Sequence, residues 1–96
     1  MSRFNALIHQ SVRLQIMAAL NALDDESQLD FGALRDLLDV TDGNLATHLR
    51  KLEDAGYLEV TKTFVGRRPR TYIAITPTGR QAFAEHVQAL KEILEG

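Results

Sequence analysis

Residues 41–70 read TDGNLATHLRKLEDAGYLEVTKTFVGRRPR, and the order of parts in this stretch decides the fold. Thr41 can start a helix by accepting from the backbone amide of Gly43 or Asn44, and Asp42 suits the positive end of the helix dipole. Leu45, Leu49 and Leu52 then fall within about 60° of one another at 100° per residue, which makes an inward stripe. Gly56 ends the helix. Leu58 and Val60 alternate with Glu59 and Thr61, so residues 57–64 predict a strand, with its partner at 71–75. Between the two, Gly66 supplies a turn and Pro69 stiffens the return, leaving Arg67, Arg68 and Arg70 at or near a hairpin tip.

Working outward, Ser11 can cap a first helix running to about Leu23, with Val12, Ile16, Leu20 and Leu23 on one stripe. Asp24, Asp25 and Glu26 break that pattern as a polar loop, and Leu29 fits a short strand. Asp30 can cap a second helix over 31–38 whose inward residues are Phe31, Leu34, Leu37 and Leu38. Only Asp39 and Val40 separate it from the Thr41 cap, which is helix-turn-helix spacing. Thr76 can cap a last helix, with Pro77 at its first position, where a missing amide costs nothing. The expected fold is mainly α with a small β-hairpin, an α+β winged helix-turn-helix of four to five helices and two to three strands. It forms one domain over 1–96: a helix-turn-helix core at 11–56, a wing at 57–75 and a dimerisation helix at 76–95.

At 96 residues, 45% hydrophobic and 25% charged, the chain is near the small end of independent stability, and dimerisation would help it. It has no cysteine, which excludes disulfides, thiolate metal sites and thiol redox sensing and fits a cytoplasmic setting. No apolar run is long enough for a membrane span or a secretory signal, so neither is expected. The net charge of -2 is unevenly spread. Residues 1–40 hold three basic and six acidic side chains, residues 41–80 seven and four, and residues 81–96 one and three. Because charge acts over a Debye length of about 8–10 Å, the basic middle can bind phosphate on an otherwise acidic chain.

The third helix turns Asn44, Thr47 and Lys51 outward, opposite its leucines, with His48 at the flank of that face. Asn and Thr are short enough to reach base edges, whereas Arg50 and Lys51 suit phosphates. Lys62, on the strand leading to the tip, is grouped with Arg67, Arg68 and Arg70, which can fork onto phosphates or enter a minor groove. From Val60 to Ala84 there is no acidic residue at all. The partner implied is double-stranded DNA.

The last helix is apolar over too wide an arc. Phe83, Val87, Leu90 and Leu94 form one stripe, and Ala82, Ala89 and Ile93 form a second beside it, with His86 in register. One stripe can cover the core. The other needs either the same helix of a second subunit or the N-terminal Phe4, Leu7 and Ile8, which themselves seek cover and can join the same dimer seam.

With these parts identified, DFGALRDLLDVTDGNLATHLRKLEDAGYLEVTKTFVGRRPRTYIAITPTGRQAF resembles the stand-alone winged-helix DNA-binding domains related to the MarR and ArsR families of transcription regulators. The resemblance implies homodimers on palindromic operators, with the third helix in the major groove and the wing against the backbone or minor groove. It assigns DNA contacts to Thr41, Asn44, Thr47, His48, Lys51, Arg67, Arg68 and Arg70, and it assigns no small-molecule effector. His9, His48 and His86 are scattered in the sequence; Glu85, His86 and Glu92 offer a disfavoured set across a dimer, so no metal or cofactor is expected. No serine lies in a nucleophile elbow and Gly66 and Gly79 make no phosphate loop, so no enzyme is expected. The competing reading is a winged helix that binds an acidic protein surface without specific DNA binding.

Overall fold

The computed structural model describes residues 3–96. Its elements run α1 (Ser11–Asn21), β1 (Leu29–Asp30), α2 (Phe31–Leu38), α3 (Asp42–Asp54), β2 (Leu58–Val65), β3 (Arg68–Ile75) and α4 (Pro77–Glu95). Four helices thus pack with a three-stranded antiparallel sheet of order β1-β3-β2.

Helix α1 is capped by Gln10, not Ser11. Gln10 is extended and its Oε1 accepts from the Arg13 amide at 2.9 Å, which makes Ser11 the first helical residue. Ile16, Met17 and Leu20 form its buried side, so Met17 belongs to the core although the expected stripe passed it by.

Asp30 caps α2 as expected, accepting from the Ala33 amide at 3.1 Å. Leu34 is its buried centre, but Leu37 is 65% exposed, contrary to expectation. At 100° per residue, Phe31 and Leu38 lie about 60° and 40° to one side of Leu34 and Leu37 about 60° to the other, so a core approaching from the first side leaves Leu37 out. Asp39 takes the left-handed conformation (φ 54°) and ends the helix, and Arg35 of α2 reaches Asp42 of α3 at 2.9 Å.

Thr41 caps α3, its hydroxyl accepting from Asn44 at 3.1 Å, and Leu45, Leu49 and Leu52 are buried. The far end closes with Gly56 at φ 81°. Its amide bonds Glu53 (2.9 Å) and that of Tyr57 bonds Leu52 (3.0 Å), a Schellman closure that turns the chain into β2.

Strands β2 and β3 pair from Leu58↔Ile75 to Val65↔Arg68. Only Gly66 and Arg67 form the turn, with φ 66° at Gly66, so the return strand starts three residues earlier than expected. Pro69 fits inside β3 because β1 pairs only with Tyr72 and Ile73, leaving the outer part of β3 an edge.

The start of α4 is locked to the end of α3. Thr76 accepts from the Gly79 amide at 2.9 Å and donates to the Gly56 carbonyl at 2.6 Å, while its amide bonds Tyr57 O at 3.0 Å. Gly79 packs so closely that a Cβ there would collide with the Tyr57 carbonyl. Ile8, Ile16, Leu20, Leu34, Leu45, Leu49, Leu52, Leu58 and Ile73 join Met17 in one core, and each fully buried Leu or Ile stabilises it by roughly 1.5–3 kcal/mol.

Candidate nucleic-acid interface

Three buried leucines fix the rotation of α3, and the residues opposite them, Asn44, Thr47, Arg50 and Lys51, are all exposed, as is the cap residue Thr41. Thr47 donates its hydroxyl to Gly43 O at 2.9 Å, so it offers an incoming group a methyl and an oxygen acceptor. Asp42, at the start of this face, is paired with Arg35, whose guanidinium is held above its ordinary pKa by hydrogen bonds to Asp42 and then Asp36. The one carboxylate in the first turn therefore comes with its own counter-charge, which lessens its repulsion of an anion.

His48 lies at the flank of this face. It is half-buried, and its Nδ1 is shut off with no hydrogen-bond partner among the described residues. Burial, and then the nearby Arg13 and Lys51, push its pKa down and keep it neutral.

A cleft of about 260 Å³ separates α3 from the hairpin. Arg50 and Glu53 on the helix and Lys62 on β2 stand at its sides, over Phe31, Leu49 and Val60. The hairpin then carries Arg67 and Arg68 to its exposed tip. Arg70 does not reach the tip: it lies two residues down β3 and pairs at 3.4 Å with Asp30, the residue that caps α2. Near the tip but not on it, Arg70 ties the wing to the helix-turn-helix, a pairing illegible in the sequence because the partners lie 40 residues apart.

On α4 the N-terminal segment provides much of the cover. His86, Ala89 and Ile8 are buried within one chain, and Ala82, Phe83, Val87, Leu90 and Leu7 are half-buried. Phe4, Ile93 and Leu94 are exposed, Ile93 by 59% and Leu94 by 85%. Two histidines read as scattered meet here: His9 Nδ1 lies 3.2 Å from His86 Nε2. Asn5 completes the anchor, donating its amide to His86 Nδ1 at 2.9 Å and its side chain to Tyr57 Oη at 2.8 Å.

Arg80, to which the sequence assigned nothing, reaches back to α1. It donates to Asn21 O (3.1 Å) and Leu23 O (2.9 Å) and pairs with Asp25 at 3.3 Å. Its partners are mostly carbonyls, which leave no trace in a sequence. Among the described residues there is no cluster of three or more His, Cys, Asp or Glu placed to hold a metal ion, and no helix is long and apolar enough to cross a membrane.

A helix-turn-helix with an exposed polar third helix and a basic hairpin beside it defines a winged helix. The family model of the winged helix DNA-binding domain matches residues 12–94, and the chain belongs to that family, a non-enzymatic one. An uncharacterized protein of Methanocaldococcus jannaschii is 37% identical over 87 residues, covering 91% of each chain. The structure of a transcriptional regulator homologue from Pyrococcus horikoshii superimposes with a TM-score of 0.83 at 32% identity, over 94% of this chain and 86% of that one. A transcriptional regulator of the MarR family from Enterococcus faecalis gives 0.71 at 25% identity, over 94% and 77%. The Staphylococcus aureus MepR–DNA complex shares the fold, with a TM-score of 0.74 at 17% identity over 92% and 69%.

Proposed function

We propose that the protein is a transcription regulator that binds a palindromic site in double-stranded DNA as a homodimer, within the compartment that holds the chromosome, the cytoplasm. The observation that carries this reading is the exposed face of α3, Asn44, Thr47 and Lys51, set beside a hairpin whose tip bears Arg67 and Arg68. The helix enters the roughly 12 Å wide major groove; Asn44 and Thr47 meet base edges, and Thr41, Arg50, Lys51 and Lys62 meet phosphates. His48, half-buried at the flank of the helix, presents its accessible edge to the DNA beside them.

Support comes also from relatives: the Pyrococcus protein is described as a transcriptional regulator homologue, the Enterococcus protein is assigned to the MarR family of transcriptional regulators, and MepR of the same fold is seen on DNA. The dimer seam is the outer end of α4, Ile93 and Leu94, with Phe4 of the N-terminal segment, backed by half-buried Leu7, Ala82, Phe83, Val87 and Leu90. Ile8, His86 and Ala89 support this seam from behind. Replacing Ile93 and Leu94 by Lys should give a folded monomer that holds one half-site weakly. Ala89, buried in its own chain, is unsuited to that test.

Fluorescence anisotropy with genomic duplex fragments at several salt concentrations tests the reading. DNA binding through phosphates weakens steeply with salt and prefers some fragments. A module that binds only an acidic protein shows no fragment preference.

A further inference from the structure

Phe64 stands directly across from Pro69 next to the wing turn, and its ring is 70% exposed. The pair belongs to the sheet face that carries Leu58 and Val60, since alternate residues of a strand share a face. Leu58 is buried in the core and Lys62 borders the cleft beside α3; two residues further on, about 7 Å along the strand, Phe64 has run past the helices. Val65, on the other face, is 51% exposed. An aromatic ring and a proline thus project into solvent together on one face, with Val65 behind them on the other, and the side chains flanking the pair are Lys62, Arg67 and Arg68.

An apolar tip ringed by cations selects its partner by both properties. The minor groove of a duplex is a slot about 6 Å wide whose sides are apolar deoxyribose edges, with polar base edges on its floor and phosphates along both rims. One ring fits that width, and the arginines meet the rims. An acidic protein surface would match the cations and leave the ring in water, whereas an apolar protein surface would do the reverse. We propose that Phe64, backed by Pro69, is an apolar wedge that seats in the minor groove next to the major-groove segment occupied by α3, with Arg67 and Arg68 fastening it to the flanking phosphates. This rests on the reading that the chain binds duplex DNA. The contact follows groove width and step flexibility, so it favours sites whose flanks open easily.

The chain has no tryptophan, so Phe64→Trp installs a single indole at the wedge, excited selectively over the two tyrosines. The variant is titrated with a duplex chosen by wild-type protein from random DNA, binding being followed separately by anisotropy of a labelled duplex. Seating in the groove blue-shifts and quenches the emission at saturation. Phe64→Ser should weaken binding about ten-fold with the salt slope unchanged, because an apolar contact releases no counterions, and Phe64→Leu should keep most of the affinity. Saturation by anisotropy with a solvent-like emission, or equal affinity of the Ser variant and wild type, overturns the wedge alone. Emission already shifted without DNA marks self-association and overturns it too. No binding of any duplex by wild type overturns the wedge together with the DNA reading beneath it.

Discussion

The backbone amide of Asn5 donates to Nδ1 of His86, and this 2.9 Å bond settles which nitrogen of a buried ring carries the proton. A backbone amide cannot accept, so Nδ1 is bare, and the neutral ring holds its hydrogen on Nε2 and donates it to His9 Nδ1 at 3.2 Å. The Phe4 ring, 5.0 Å away between centroids and tilted by 68°, packs edge-to-face with it on one side. Protonating His86 would set a donor against the Asn5 amide and a cation inside apolar cover. Burial, and then His9, accordingly push its pKa below 6.5.

Stability should therefore depend on pH in a definite direction. The folded state disfavours the protonated ring, so the stabilisation is complete above pH about 6.5 and is lost as pH falls through and below that value, where the unfolded chain takes up the proton. Urea denaturation at pH 8, 6.5 and 5 should show a falling midpoint. His86→Phe should flatten that dependence while costing about 1–3 kcal/mol at pH 8, because the Asn5 amide loses its acceptor. An equal slope in both proteins would contradict the assignment.

Arg80 is expected to hold the end of α1. Arg80→Ala removes a charged donor from the carbonyls of Asn21 and Leu23, and should destabilise the fold by about 1.5–3 kcal/mol in denaturant titration. Lys in its place carries the charge without the planar fork and should restore only part. Full recovery with Lys would show that charge alone matters.

The wing arginines should separate into two kinds. Replacing both Arg67 and Arg68 by Ala should weaken binding to every duplex and flatten the log–log salt dependence by about two units, with the fold unchanged. Arg70→Ala should instead lower thermal stability, since its partner is Asp30 at 3.4 Å. A salt slope that responds only to Arg70 would reverse these roles.

Much of the architecture was legible because its signals are local. Thr41, Asp30 and Thr76 each precede an apolar periodic run, and each caps a helix by a bond spanning three residues. Ser11 misled for the same local reason: Gln10 can also reach the third amide, and nothing in the sequence ranks the two. The direction from which the core approaches α2 is a tertiary fact, so Leu37 could not be told from Leu38. The candidate site was legible at Asn44, Thr47 and Lys51, which lie opposite a leucine stripe, and at the turn set by Gly66. Arg70, His48 and the His9–His86 pair were not, because their surroundings come from segments far along the chain.

Asn44→Ala and Thr47→Ala should relax preference at particular base pairs, each at a cost of roughly 1–3 kcal/mol, and Lys51→Ala should weaken all sites alike. Sites selected by the Asn44 variant should differ from those of wild type at the positions Asn44 reads. Identical selected sequences would remove Asn44 from base recognition.

Selection of binding sites from a random duplex library by the wild-type protein tests the central claim most directly. Two recognition helices related by a two-fold axis should enrich an inverted repeat with half-site centres about 10 base pairs, or a multiple of that, apart. Enrichment of no sequence, or of a single site lacking a dyad, would contradict a homodimer that reads DNA through α3.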